Sequence, residues 1–347
     1  MGRATGRKVD WYAALGRRAF FAMDPETAHR LAQRLLDLPL PWSRIGGAAD
    51  DPALATSLAG IPLRNPIGLA AGFDKACAHL DVLGELGFGY VVGGTVTRAP
   101  RPGNPHPRIA RSPTHHALVN AMGLPNPGAA AAGRHLAHGH RSCPRLISLA
   151  DEAVDDVIIA LGLVEPHVDG IELNASSPNA GWEHVGSHVG ALVRAIRART
   201  VKPLFVKLPA YRAPSDRARV LEMAAAARDE GANGLTCSNT LAVTDPRMST
   251  GRGGLSGAPL SEGTPRVVAE IAAAIDGRLS INACGGIFTA DDVARCLDAG
   301  ASTVQVYTAL IYEGPGLPGI LTRGLADLRP PGVGERPAGD PAERERG

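Results

Sequence analysis

Asp169 Gly170 Ile171 Glu172 Leu173 Asn174 Ala175 Ser176 Ser177 Pro178 Asn179 passes from a short apolar, strand-like segment directly into a hydroxyl flanked by carboxamides. Parallel α/β folds place their chemistry at the C-terminal ends of strands, so polar groups following such a segment point to an active site. Pro178 stiffens the turn that carries them. Taken alone, the same run is first an Asx or Ser turn capping the next helix. The segments around it decide.

Outward from this run, short β-like runs alternate with helical patterns from a linker at 46–52 to about residue 328. Strands are expected at 67–70, 90–93, 146–149, 170–174, 204–208, 234–237, 279–283 and 303–307, with helical patterns such as 220–230, 266–275 and 290–299 between them. Eight strands in this alternation predict an α/β fold of the (β/α)8 TIM barrel kind over residues 49–328. A doubly wound open sheet fits less well, because the first strand lacks the Gly-x-Gly-x-x-Gly turn of a dinucleotide fold. Residues 1–48 form a small N-terminal α-helical hairpin domain, and the tail 329–347, rich in Pro, Gly, Arg and Glu, is expected to be disordered.

In the hairpin, Asp24 and Pro25 are a cap and first-position start signal for a second helix, which carries Ala28, Leu31, Ala32, Leu35 and Leu36 at helical spacing and stops before Pro39. Trp11, Tyr12, Phe20 and Phe21 interleave with Arg17 and Arg18 ahead of it. Such a pair of helices suits a membrane interface or a hairpin packed on the main domain, and composition leaves both open.

With 44% hydrophobic residues in 347, the chain can bury a sizeable core. A formal charge of +2 and the lack of any long basic run exclude a nucleic-acid binder. Five cysteines without C-x-x-C spacing suggest neither zinc nor a disulfide framework, and their odd number fits a reducing cytosol. No segment is apolar for long enough to span a bilayer, and residues 1–10 lack the apolar core of a signal peptide. His115, His116, His135, His138 and His140 have no carboxylates at ligand spacing and are expected on the surface, so no metal site is expected.

Several strand ends carry more than a turn requires. Ala70 Ala71 Gly72 Phe73 Asp74 Lys75 offers small residues, over which a flat ligand can approach the backbone, and then a cation. Lys207 stands in the apolar run Phe205 Val206 Lys207 Leu208 and needs an anionic or accepting partner, which a ligand at the barrel mouth would supply. Cys284 Gly285 Gly286 after the seventh strand and Tyr307 Thr308 after the eighth match the corner where many barrels hold phosphate.

With these segments in view, the chain resembles the quinone-dependent (class 2) dihydroorotate dehydrogenases from about residue 11 to residue 315. The likeness is carried by Asn65 Pro66 Ile67 Gly68 Leu69 Ala70 Ala71 Gly72 Phe73 Asp74 Lys75, by Gly94 Thr95 Val96 Thr97, by Pro102 Gly103 Asn104, and by Asn120 with Met122 Gly123. Further matches are the run from Asn174 to Asn179, Gly253 Gly254 Leu255 Ser256 Gly257, the glycine pair, and Asp24 Pro25 Glu26 Thr27 Ala28 His29 Arg30 in the hairpin.

The resemblance implies an FMN cofactor, with phosphate at Gly257, Gly286, Tyr307 and Thr308 and isoalloxazine near Ala70, Ala71, Gly72, Lys75, Thr95 and Lys207. Ser148, Asn174 and Ser238 also belong to the implied cofactor site. Dihydroorotate would be gripped by Asn120, Asn174, Asn179 and Asn239 with Thr240 and Lys75, and Ser177 would be the base that takes its C5 proton. In this family the hairpin lies on the membrane and forms a tunnel for quinone, which His29 and Arg111 would line. The implied place is peripheral, on the cytoplasmic side of the cell membrane, in pyrimidine biosynthesis. Class 1 members use a cysteine base, lack the hairpin and fit less well.

Three positions depart from the pattern: Ser148 stands where an Asn is usual, Leu124 for a Phe, and Ala180 for a Thr, while Ala150 Asp151 replaces Gly-Lys. Leu124 and Ala180 border the proton's exit. Two functions therefore fit: a working dihydroorotate dehydrogenase, or a diverged FMN-binding paralogue with another substrate or a non-catalytic regulatory role. Four carboxamides kept together with Ser177 favour the first.

Overall fold

The structure is a computed structural model that describes residues 12–48, 50–175 and 186–328. Ser177, Asn179, Ala180 and the tail 329–347 lie outside the described residues.

A π-helical turn (Tyr12–Gly16) leads into three α-helices: α1 (Arg17–Ala22), α2 (Pro25–Leu36) and α3 (Trp42–Gly46). The start signal works as expected, for the Asp24 carboxylate accepts from the backbone N–H groups of Glu26 at 3.1 Å and Thr27 at 3.0 Å, with Pro25 in the first turn. Helix α3, just ahead of the linker, is a third helix where two were expected. Trp42 holds it, being buried with its indole N–H on the Leu38 carbonyl at 3.1 Å.

Strands β1 (Thr56–Leu58) and β2 (Ile61–Leu63) make an antiparallel hairpin. Next come β3 (Ile67–Leu69), β4 (Tyr90–Val96), β5 (Ile109–Ser112), β6 (Ala117–Asn120), β7 (Arg145–Leu149), β8 (Gly170–Asn174), β9 (Leu204–Leu208) and β10 (Gly234–Cys237). The last four are β11 (Leu241–Thr244), β12 (Arg252–Gly257), β13 (Ser280–Cys284) and β14 (Thr303–Val306). Strands β3, β4, β7, β8, β9, β10, β13 and β14 are parallel and close into a barrel, β14 pairing back onto β3. These are the eight strands expected, with β4 running on to Val96 and β13 displaced by one residue. The α/β TIM-barrel class holds.

Two elements were not foreseen. The β1–β2 hairpin plugs the barrel floor, where Leu58, Ile61 and Leu63 pack with Tyr90, Val92, Leu146 and Phe205. Room for that aromatic layer comes from glycine, since a Cβ at Gly68 would stand 2.3 Å from the Tyr90 ring. At the opposite end, the connections after β4 and β10 meet in a four-stranded antiparallel sheet, β11-β12-β6-β5, beside the barrel mouth. Its strands are short, and all but β6 are partly exposed without regular alternation, so their signal in the sequence is weak.

The N-terminal helices are bolted to this mouth. Tyr12 donates to the Ile311 carbonyl at 2.7 Å, and Phe21 meets Tyr312 edge to face with centroids 5.0 Å apart. Glu26 receives the Arg108 guanidinium on both oxygens, at 2.7 and 3.0 Å. Among the described residues no helix is long and apolar enough to cross a membrane.

Candidate active site

A cavity of about 920 Å³ opens between α2, the antiparallel sheet and the C-terminal ends of the barrel strands. Ala70, Ala71, Gly72, Lys75, Thr95, Asn120, Asn174, Lys207, Ser238, Asn239, Thr240, Gly257, Gly286, Tyr307 and Thr308 all line it, with His29 and Arg111 toward the hairpin. Residues from seven of the eight barrel strand ends, all but β7, and from the antiparallel sheet thus face one space. Ser148 does not line it. The Ser148 side chain is wholly buried and its hydroxyl pairs with that of Thr95 at 3.0 Å, which in turn accepts from the Asn174 amide at 3.0 Å. Ser148 therefore acts on the cavity only through Thr95, a correction to its expected place on the wall.

Asn120 donates to the Gly254 carbonyl at 3.4 Å, which ties β6 to β12 at the cavity edge. The Asn239 carboxamide oxygen accepts from the Thr240 backbone N–H at 2.8 Å, fixing the turn after β10. Three carboxamides, with both donors and acceptors, thus surround a space flanked by a cation.

That cation is Lys75, whose ammonium donates to the Gly72 carbonyl at 2.6 Å. Burial pushes its pKa down to about 8, with Glu26 and Asp74 pulling the other way. His29 packs edge to face on Phe73, its Nε2 is buried without a hydrogen-bond partner, and burial followed by the charge of Lys75 pushes its pKa down to about 3. At neutral pH the ring is therefore uncharged. Arg111 lies over the Phe21 ring, 4.7 Å from its centroid, and donates to the Met23 carbonyl at 2.8 Å.

Lys207 is 5% exposed, so it does not snorkel past the rim. Its partner is internal: the Glu172 carboxylate from β8 lies 3.5 Å away and the Gln305 side-chain oxygen from β14 3.4 Å away. The expectation that a ligand supplies the counter-charge is thus corrected. Burial works against the ammonium, but Glu172 outweighs it and the pKa of Lys207 lies above the ordinary lysine value. The chain has only four lysines (Lys8, Lys75, Lys202 and Lys207), so two of them stand on this wall.

Loops after β12, β13 and β14 converge at the far corner. Gly286 has φ +70°, and a Cβ there would lie 2.2 Å from the Ser261 backbone nitrogen, so only glycine lets these loops touch. The Thr308 hydroxyl donates to Ser256 at 2.9 Å and Tyr307 donates to the Gly72 carbonyl at 3.3 Å, joining this corner to the flat wall at Ala70 and Ala71. A planar group carrying a terminal anion suits this shape: apolar floor, cationic edge and a glycine-lined corner.

Among the described residues no cluster of ligating side chains suits a metal ion. His116 keeps its expected surface placement, with 45% of its side chain exposed, while its ring stacks on Tyr312 at 4.9 Å. Asp151, which stands where lysine is usual, accepts from Arg101 at 2.6 Å and from the Arg98 backbone at 2.8 Å and so anchors the 98–101 segment. Sequence reasoning alone does not single out Glu172, Thr236 and Gln305. Their signal was available as polar side chains at inward positions of otherwise apolar strands.

The sequence profile of the family described as Dihydroorotate dehydrogenase matches residues 53–328. This chain belongs to that family. It is 38% identical to Dihydroorotate dehydrogenase (quinone) of Halorhodospira halophila over 325 residues, covering 88% of this chain and 95% of the relative. It is 37% identical to the protein of the same description from Sphingopyxis alaskensis, covering 91% and 92%. Among solved structures, DHODH in complex with ferulenol from Eimeria tenella superposes with a TM-score of 0.78 at 29% identity, covering 88% of this chain and 91% of that one. The 91% of the chain covered by the Sphingopyxis protein exceeds the span 53–328, so that likeness extends beyond the residues matched by the family profile.

Proposed function

We propose that the protein oxidises (S)-dihydroorotate to orotate, using FMN as its redox group and a membrane quinone as acceptor, in pyrimidine biosynthesis. The observation that carries this reading is the gathering of Asn120, Asn174, Asn239, Thr240 and Lys75 on the same cavity as Lys207 and the Gly286 corner, in a member of this family. Carboxamides match the alternating donors and acceptors of the orotate ring, and Lys75 matches its carboxylate.

The residues present fit FMN: Gly257, Gly286 and Thr308 would hold the phosphate, Ala70 and Ala71 would lie against the ring system, and Lys207 would offer a fixed positive charge. When bound, FMN accepts two electrons as hydride from C6 of the substrate. Ser177 takes the C5 proton, with Asn174 and Asn120 orienting the ring; Ser177 and its neighbour Asn179 lie outside the described residues. Neutral His29 and Arg111, between α2 and the barrel mouth, suit a quinone carbonyl, and exposed Leu15, Leu31, Leu38 and Leu40 suit peripheral contact with the cytoplasmic face of the membrane. The alternative of a non-catalytic paralogue draws little support, since Asp151 is absorbed by Arg101 and leaves the carboxamide cluster intact.

The test is anaerobic mixing of the purified yellow protein with dihydroorotate. Flavin absorbance is expected to bleach within one turnover, and an unchanged oxidised spectrum would overturn the proposal.

A further inference from the structure

Inside the barrel, where apolar layers are usual, this chain carries one cation and one anion. Glu172 is 0% exposed and Lys207 5%. The Glu172 carboxylate is fixed from three strands: Thr236 of β10 donates to it at 2.9 Å, the Gln305 amide of β14 at 3.3 Å, and Lys207 of β9 lies 3.5 Å away. Thr236 is in turn held by the Asn282 amide at 3.2 Å, and Asn282 accepts from Tyr90 at 3.2 Å. The chain of contacts therefore runs from the cavity wall to the plugged floor.

A buried pair of this kind is often no better for stability than apolar filler, so its use lies in its charge. We propose that Glu172 is a positioning residue that keeps Lys207 protonated and aimed at the cofactor throughout the redox cycle. This rests on the FMN reading above.

The groups that face the Lys207 ammonium are Glu172 from β8, Gln305 from β14 and the Cys284 thiol from β13. Cys284 is no substitute for the anion, because burial pushes its thiol pKa up and keeps it neutral. Without Glu172, burial alone acts on Lys207, and the amine is left neutral while the cofactor is oxidised. Reduction adds two electrons and, in the wild type, one proton to the flavin, leaving negative charge beside a cation already in place. In Glu172→Gln the same two electrons draw in two protons from solvent, one to the flavin and one to Lys207 Nζ.

The experiment is an equilibrium redox titration of the bound flavin against pH for wild type and Glu172→Gln holoenzymes. The slope of midpoint potential against pH is expected to double in the variant, and equal slopes would overturn the proposal. A merely structural defect would lower stability without changing the proton count. Should Glu172→Gln not fold, wild type grown with 15N-lysine decides, since four lysines give a sparse spectrum. Lys207 is expected as ammonium in both redox states, and a neutral amine in the oxidised state would overturn the proposal. A protein that binds no flavin defeats the FMN reading on its own, and the Lys207 resonance of that protein still tests Glu172.

Discussion

Glu26, in the first turn of α2, and Arg108, just before β5, form a two-pronged ion pair with side chains only 13% and 11% exposed. Arg108 also donates to the carbonyls of Pro102 and Asn104, so one guanidinium ties the N-terminal helices to the loop that leads into the antiparallel sheet. Glu26→Gln is expected to destabilise the protein by about 2 kcal/mol, measured by denaturant unfolding. Burial works against the Glu26 carboxylate, but Arg108 outweighs it and its pKa lies below the ordinary value. The contribution is therefore complete above the ordinary glutamate pKa and is lost as pH falls through the lowered one. If wild type and variant lose stability in parallel on acidification, the pair is not the cause.

Lys75 gives a second pH signature. Its charge is lost as pH rises through about 8, so orotate affinity should fall by about tenfold per pH unit above that point, read from flavin spectral shifts. Lys75→Met should remove the pH dependence together with most of the affinity. Stability moves the other way: the unfolded chain binds more protons between the lowered and the ordinary lysine values, so folding is favoured as pH rises across that window. Orotate binding that stays level through pH 9 would exclude Lys75 from the carboxylate.

How much of this could be read in the chain beforehand depends on the local signal. The eight barrel strands were legible because each is apolar, short and bounded by turns, and the cap at Asp24 was legible because it needs only neighbours in sequence. The antiparallel sheet was not, because β6 and β12 are joined by pairing across more than a hundred residues, such as Asn120 with Gly254. Ser148 was misplaced for a related reason: its strand was correct, but whether a buried hydroxyl faces the cavity or the Thr95 side chain depends on neighbouring strands. The partner of Lys207 was missed because Glu172 lies 35 residues away and meets it only when β8 and β9 pair.

Gly286→Ala tests the anion corner. With Ser261 2.2 Å from the new Cβ and φ at +70°, the loops must part. A loss of about 1–3 kcal/mol is expected, together with protein that purifies with far less than stoichiometric flavin. Full flavin content at native stability would place the phosphate elsewhere.

Ser177→Ala is expected to stop flavin reduction by dihydroorotate at neutral pH, a loss of at least about 100-fold, while orotate still perturbs the flavin spectrum. Reduction at the wild-type rate would mean that another group takes the proton.

Removal of residues 1–37 keeps Trp42, which belongs to the main core, with its Leu38 partner, and takes away α1 and α2. Quinone reduction should fail in that protein while flavin binding survives, because the Gly286 corner and the Ala70 wall lie on barrel elements. Unchanged quinone kinetics would count against a hairpin tunnel.

The scarcity of lysine has a practical side. Lys207 is locked as a cation beside Glu172, and Lys202 is half-buried with its Nζ on the carbonyls of Glu165 at 2.6 Å and Val168 at 2.8 Å. Lys75, by contrast, sheds its proton near pH 8 and faces an open cavity, so it combines nucleophilicity with access. A small aldehyde should condense with this amine, and a small activated ester should acylate it, ahead of Lys202 and Lys207, which makes Lys75 the most reactive of the three described lysines.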